Sequence, residues 1–192
     1  MVKINFQQGA NELEKCVLQG AVGAQKEYKE TTGGWWLWHG PESFLQVVVA
    51  QKIAKKTGHF VYIDASRSRI ERERGRGPGR PAASGSQRAD ISVWNKTGFT
   101  LRAVIEIKRS IGTKPILDDV HRMNTWMGLN NPPAAAYMLA YSEARGKNRM
   151  KTLEKRFTTW TEQTCWIDKG KVVYDDPDDP DYAWGIILMR HQ

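Results

Sequence analysis

The run Ala103-Val104-Ile105-Glu106-Ile107-Lys108-Arg109 sets an acid and an amine inside an otherwise apolar segment. Its branched aliphatic residues predict a strand from Leu101 to Arg109. Side chains alternate along a strand, so Glu106 and Lys108 share one face while Ile105 and Ile107 take the other. Removing ionised groups from water is costly unless they are paired or hold a metal. A fold containing this strand must therefore supply them with partners.

A second strand, Ala89 to Trp94, precedes it, and Asn95-Lys96-Thr97-Gly98 between the two carries turn chemistry. An antiparallel hairpin folded about Gly98 opposes residues whose numbers sum to 196, which sets Asp90 across from Glu106. Directly opposed residues have Cβ atoms about 4.5–5.5 Å apart. Two carboxylates then converge beside an amine, an arrangement that is repulsive without a cation between the acids. Oxygen ligands so disposed suit Mg2+, which keeps several of its waters and takes one or two protein carboxylates. Lys108 can then orient or deprotonate an attacking water, or offset developing negative charge. A bulge in either strand would shift this register by one.

Charge elsewhere points to a partner. The chain has 192 residues, 26% of them charged, and a formal net charge of +8. Between residues 66 and 88 seven arginines (Arg67, Arg69, Arg72, Arg74, Arg76, Arg80, Arg88) face two glutamates, among glycines and prolines that exclude a continuous helix or strand. That stretch reads as a flexible Arg/Gly-rich loop suited to phosphates, since guanidinium forks match phosphate geometry. The acidic run Asp175 to Asp181, broken by Pro177 and Pro180, reads as a solvated turn.

The remaining pattern places these segments in one α/β domain spanning residues 1–192. Asn11 to Lys29 reads as an amphipathic helix, and Pro41 to Lys56 as a second, apolar one ended by Gly58. His59 to Ala65 is a strand, Thr113 to Met127 a helix, Ala134 to Tyr141 a buried strand and Lys147 to Gln163 a helix. Val172 to Tyr174 and Trp184 to Met189 close the sheet. The order predicts a mixed central β-sheet flanked by helices. Trp35-Trp36-Leu37-Trp38 reads as core packing more readily than as a base-stacking platform. Asp118 and Asp119 read as first-turn acids that complement a helix dipole. Two cysteines cannot build a disulfide framework, no apolar run reaches membrane-spanning length, and no export signal is visible. The expectation is a cytoplasmic protein without membrane contact.

Asp90, then Glu106-Ile107-Lys108 after a 15-residue spacer, resembles the PD-(D/E)xK superfamily of restriction-endonuclease-like nucleases. An upstream helix opening on Glu42, and the helix and strand after Lys108, extend the resemblance over about residues 41–142. Ala89 stands where the motif's name has proline, and the arginine-rich loop is a larger departure. The resemblance implies a restriction-endonuclease-like sandwich with Asp90, Glu106, Lys108 and Glu42 as the catalytic set. It implies Mg2+, with Mn2+ as substitute, held by Asp90, Glu106, the main-chain carbonyl of Ile107 and Glu42. Gln46, one turn beyond Glu42, falls on the same helix face and within reach of the site.

The function expected is metal-dependent hydrolysis of phosphodiester bonds in nucleic acid, DNA before RNA. A homodimer would suit double-strand cutting. The rival reading is a catalytically inactive nucleic-acid-binding or protein-interaction module on the same scaffold.

Overall fold

The computed structural model describes residues 2–34, 36–66, 88–98, 100–128 and 132–192. The arginine-rich loop, with Arg67, Arg69, Arg72, Arg74, Arg76 and Arg80, therefore lies outside the described residues, as does Trp35.

Asn11 starts the first helix with a reciprocal cap: its side chain accepts from the Glu14 N–H while the Glu14 carboxylate accepts from the Asn11 N–H. The elements in chain order are β1 (Asn5–Phe6), α1 (Glu12–Thr31), a 3-10 turn (Leu37–His39), α2 (Glu42–Thr57), β2 (Phe60–Ser66), β3 (Arg88–Trp94) and β4 (Leu101–Arg109). These are followed by α3 (Lys114–Met127), β5 (Ala135–Arg145), α4 (Arg149–Thr164), β6 (Ile167–Asp175) and β7 (Tyr182–Arg190). Pro41 caps α2 from outside rather than filling its first helical position, and Gly58 ends the helix in the left-handed region at φ 67°.

The strands form one seven-stranded sheet in the order β1-β6-β7-β5-β4-β3-β2. Only β4 and β5 run parallel among the described pairs; the others are antiparallel, so the sheet is mixed. A parallel neighbour requires a crossover, and α3 supplies it. Two apolar clusters lie on the two faces. One packs Val17, Leu18, Leu45 and Val49 of α1 and α2 against Ile91, Ile105 and Ile107. The other packs Ile116, Met123, Leu153 and Phe157 of α3 and α4 against Val104, Met138 and Ile187. The chain is thus α/β, with helices on both sides of a mixed sheet. No helix among the described residues is long and apolar enough to cross a membrane.

Three sequence expectations need correction. Asp118 and Asp119 do not open α3; the helix begins at Lys114, and Asp119 is a buried second-turn residue. The acidic turn is not merely solvated, because Asp176 is buried and pairs with Lys29 at 3.0 Å. The turn folds back on the end of α1, where the lysine compensates the buried acid. Strands β5, β6 and β7 also extend beyond their predicted limits, since ladder hydrogen bonding sustains segments whose own apolar pattern has run out.

Candidate functional site

Asn95 shapes the turn that sets the β3–β4 register. Its carbonyl accepts from the Gly98 N–H at 2.9 Å, its N–H donates to the Thr100 carbonyl at 2.8 Å, and Gly98 takes φ 78°. A register shift between Val93 and Trp94 absorbs one residue close to the turn. Beyond it Val93 faces Ala103, Ser92 faces Val104 and Ile91 faces Ile105, all summing to 196. The bulge therefore sits on the harmless side of the ladder.

Ile91↔Ile105 is the last registered pair of the two strands, while β4 continues alongside β5 as far as Arg109↔Tyr141. Asp90 and Glu106 accordingly flank the end of the ladder instead of forming a rung of it, as direct opposition would have required. Where the strands part, the Asp90 side chain replaces a backbone acceptor: the Ile107 N–H donates to Asp90 Oδ2 at 2.6 Å. Gln46 Nε2, from α2, donates to Asp90 Oδ1 at 3.0 Å. Both oxygens of one carboxylate are thus fixed by groups from two different elements.

Alternation along β4 sends Ile105 and Ile107 to the α1/α2 side and Glu106 and Lys108 toward α3. Glu106 is only 4% exposed. Arg122, on α3, forms an ion pair with its Oε1, while Oε2 is buried with no hydrogen-bond partner among the described residues. Asp119, one helical turn before Arg122, lies 3.0 Å from that guanidinium and 3.1 Å from Lys108 Nζ. Two acids and two cations thereby interlock across the β4–α3 boundary.

Glu42 occupies the first turn of α2, as the sequence placed it. Its carboxylate lies 3.9 Å from Arg109 Nε, and Arg109 also donates to the Trp38 carbonyl at 2.6 Å and to the Gly40 carbonyl. This tether fixes the chain's entry into α2. Arg88 opens β3 as an exposed residue and pairs with Asp64 on β2, so it does not neutralise Asp90.

Burial, opposed by the hydrogen bond from Ile107 and reinforced by the Glu42 charge, raises the Asp90 acid to about 6. Burial and the neighbouring Asp90 charge raise Glu106 to about 9, against the lowering effect of Arg122. Both shifts describe a pair of acids with less positive charge around them than they need.

The predicted set Asp90, Glu106, Lys108, Glu42 and Gln46 is assembled around the open end of the β3–β4 ladder. Arg122 and the site role of Asp119 were missed. A signal for Asp119 existed: it falls in phase with Ile116, Val120 and Met123, and an acid on an apolar stripe requires a partner. Three residues on, Arg122 is the natural one.

Among the described residues no group of three His, Cys, Asp or Glu side chains is arranged to hold a metal ion. The donor set actually present is two carboxylates with the Ile107 main chain between them. Such an oxygen set fits a hard cation that retains much of its water shell, and the partnerless Glu106 Oε2 leaves one ligand position free. No protein-family model matches the chain, and neither does any curated protein or solved structure.

Proposed function

We propose that this chain is a metal-dependent nuclease of the PD-(D/E)xK type on a restriction-endonuclease-like sandwich, hydrolysing phosphodiester bonds in nucleic acid, DNA before RNA. The observation that carries the reading is the convergence of Asp90 and Glu106 at the end of a ladder, with Lys108 on the same face. Burial makes that pair electrostatically deficient, and a divalent cation is the species that removes the deficit.

Asp90 and Glu106, with the carbonyl of Ile107, would hold Mg2+ or Mn2+, and Glu42 would act from the outer edge. When bound, the cation supplies Lewis-acid polarisation of a phosphoryl oxygen and of water. The chain's own residues supply the rest. Gln46 and the Ile107 N–H fix the Asp90 carboxylate in one orientation. Asp119 holds the Lys108 ammonium on the Glu106 face, where it can orient a nucleophile and offset charge on the phosphate. Arg122 pairs with both Glu106 and Asp119, so its one guanidinium offsets two buried acids. The arginine-rich sequence between residues 66 and 88, together with exposed Arg88, provides the phosphate-binding charge.

The test is a cleavage assay on single- and double-stranded DNA and RNA with Mg2+, Mn2+ or EDTA. Metal-dependent cutting that disappears in Glu106→Ala and Lys108→Ala supports the reading. Cutting at the wild-type rate in both variants, or none on any substrate, overturns it. Salt-sensitive binding without cutting would instead support the non-catalytic nucleic-acid-binding module.

A further inference from the structure

The register shift beside the β3–β4 turn redirects one arginine. Trp94 faces Leu101 and Val93 faces Ala103, so Arg102 is the extra residue of the bulge and opposes nothing on β3. Strict alternation back from Glu106 through Val104 would place Arg102 on the α3/α4 side, where Val104 packs. The bulge instead gives Arg102 the side of its neighbour Ala103, which belongs to the α1/α2 cluster. There it lines a cavity of about 290 Å3 with Asn11, Glu12, His59, Tyr137 and Arg190. That volume suits a ligand at the small end of the usual range of about 300–1,000 Å3.

Arg190 reaches the same cavity from β7. Ile186 and Leu188 pack on the α1/α2 side, and two residues on the strand presents Arg190 there, opposite Tyr137 of β5. Neither the Arg102 nor the Arg190 guanidinium has an ion pair or hydrogen bond among the described residues. Arg88, Arg109, Arg122 and Arg149 are each paired with an acid. Glu12 is the one acid in the cavity wall, so two guanidinium groups against one carboxylate leave the cavity net positive.

The amide and the imidazole beside them are held in defined orientations. Asn11 Oδ1 accepts from the Glu14 N–H at 2.9 Å, so Nδ2 is fixed as the donor; it gives one N–H to the Tyr137 hydroxyl at 3.4 Å and keeps the other. His59 Nδ1 lies 3.2 Å from the Thr57 carbonyl, which can only accept. Nδ1 therefore carries the proton, and Nε2 is the ring nitrogen left for a ligand.

We propose that this cavity binds a phosphomonoester group, gripped by the Arg102 and Arg190 guanidinium groups. One guanidinium fork is enough to saturate the two oxygens of a carboxylate. Two forks with an amide N–H match the three free oxygens and near-double charge of a phosphomonoester. Arg102 precedes Glu106 by four residues of β4, roughly 13 Å along the strand, and takes the opposite face. No wall residue belongs to the Asp90–Glu106 cluster, so the inference does not rest on the metal reading. A small phosphorylated molecule and the 5′-phosphate of a strand end share this chemistry.

The test is calorimetry in EDTA, so that no metal-dependent step contributes. The probes are inorganic phosphate, glycerol 3-phosphate, acetate, and a six-nucleotide DNA strand with and without a 5′-phosphate. Saturable binding of a phosphomonoester probe is expected at or below millimolar concentration, weakened at least tenfold by Arg102→Gln and by Arg190→Gln. Arg102→Lys, which keeps the charge and loses the fork, should weaken it severalfold. Lys26→Gln removes an equal charge about four turns along α1 from Asn11 and should leave binding unchanged. Preference for the phosphorylated strand over glycerol 3-phosphate identifies a strand end as the ligand; the reverse identifies a small phosphate ester. The two guanidinium groups have no internal contact to lose, and should one variant fail to fold by circular dichroism, the other decides. No saturable binding at millimolar concentration, acetate bound as tightly as phosphate, or binding indifferent to the folded arginine variants overturns the inference. So does an equal weakening by Lys26→Gln.

Discussion

The Asp90 carboxylate accepts the backbone N–H of Ile107 at 2.6 Å, so the acid of β3 is tied to the residue between the acid and the lysine of β4. A side chain has taken the place of a ladder acceptor at the point where two strands part. That substitution ends the ladder without orphaning the amide, and it creates the opening in which the charged groups meet.

If the paired acids hold the catalytic cation, Asp90→Asn, Glu106→Gln and Lys108→Ala should each lower Mg2+-dependent cleavage of DNA by about 100-fold or more. The near-isosteric amides leave packing intact, so circular dichroism should match wild type while the initial rate collapses.

Stability should fall as pH rises. Asp90 and Glu106 have folded values of about 6 and about 9, above the roughly 4 of an unfolded carboxyl. The folded state therefore binds more protons, and its stability is greatest below the unfolded value and is lost as pH climbs through both folded values. Melting temperature should decline from pH 5 to pH 9, and Glu106→Gln should flatten the decline. Added Mg2+ should raise the wild-type melting temperature most at the alkaline end, since the cation binds the ionised pair.

Removing the Arg122 guanidinium leaves Glu106 and Asp119 buried beside each other. Breaking a fully buried pair costs about 3–5 kcal/mol, but Arg122 is 38% exposed, so water screens the loss to about 2 kcal/mol. Urea denaturation of Arg122→Ala should show that loss above pH 9, where Glu106 is ionised, and a smaller one at neutral pH and below, where it carries its proton.

Gln46 holds one Asp90 oxygen from another element. Loss of such an orienting partner typically costs about 10–100-fold in metal affinity. Gln46→Leu should therefore weaken Mn2+ binding by that factor in calorimetry while Lys108→Ala, which removes no ligand, should not.

Gly185 on β7 faces the other cluster. A Cβ there would meet the Phe157 ring at 2.8 Å and the Val172 carbonyl at 3.0 Å. Overpacking of this kind costs about 1–3 kcal/mol, so Gly185→Ala should lower the urea midpoint without changing the slope of the transition.

The Leu101–Arg109 strand was legible because its limits are written in local pattern, and the hairpin register because a turn with Asn95 and Gly98 leaves few alternatives. Gln46 was reachable by helical spacing from Glu42. Arg122 was not reachable in the same way: nothing near residue 122 indicates that α3 crosses over β4 with its third turn on Glu106. The burial of Asp176 against Lys29, 147 residues away in sequence, was likewise invisible.

By itself the sequence determined that Ile105 and Ile107 take one face of β4 and Glu106 and Lys108 the other, because strand periodicity acts over a few residues. Strand β3 breaks that alternation at Asp90, whose neighbours Ala89 and Ile91 pack in opposite clusters. Tertiary structure alone decided where the ladder stops, which helix covers the acids and which cations answer them. Those outcomes depend on contacts between distant segments, and the energy of a buried charge is set by whatever the fold brings beside it.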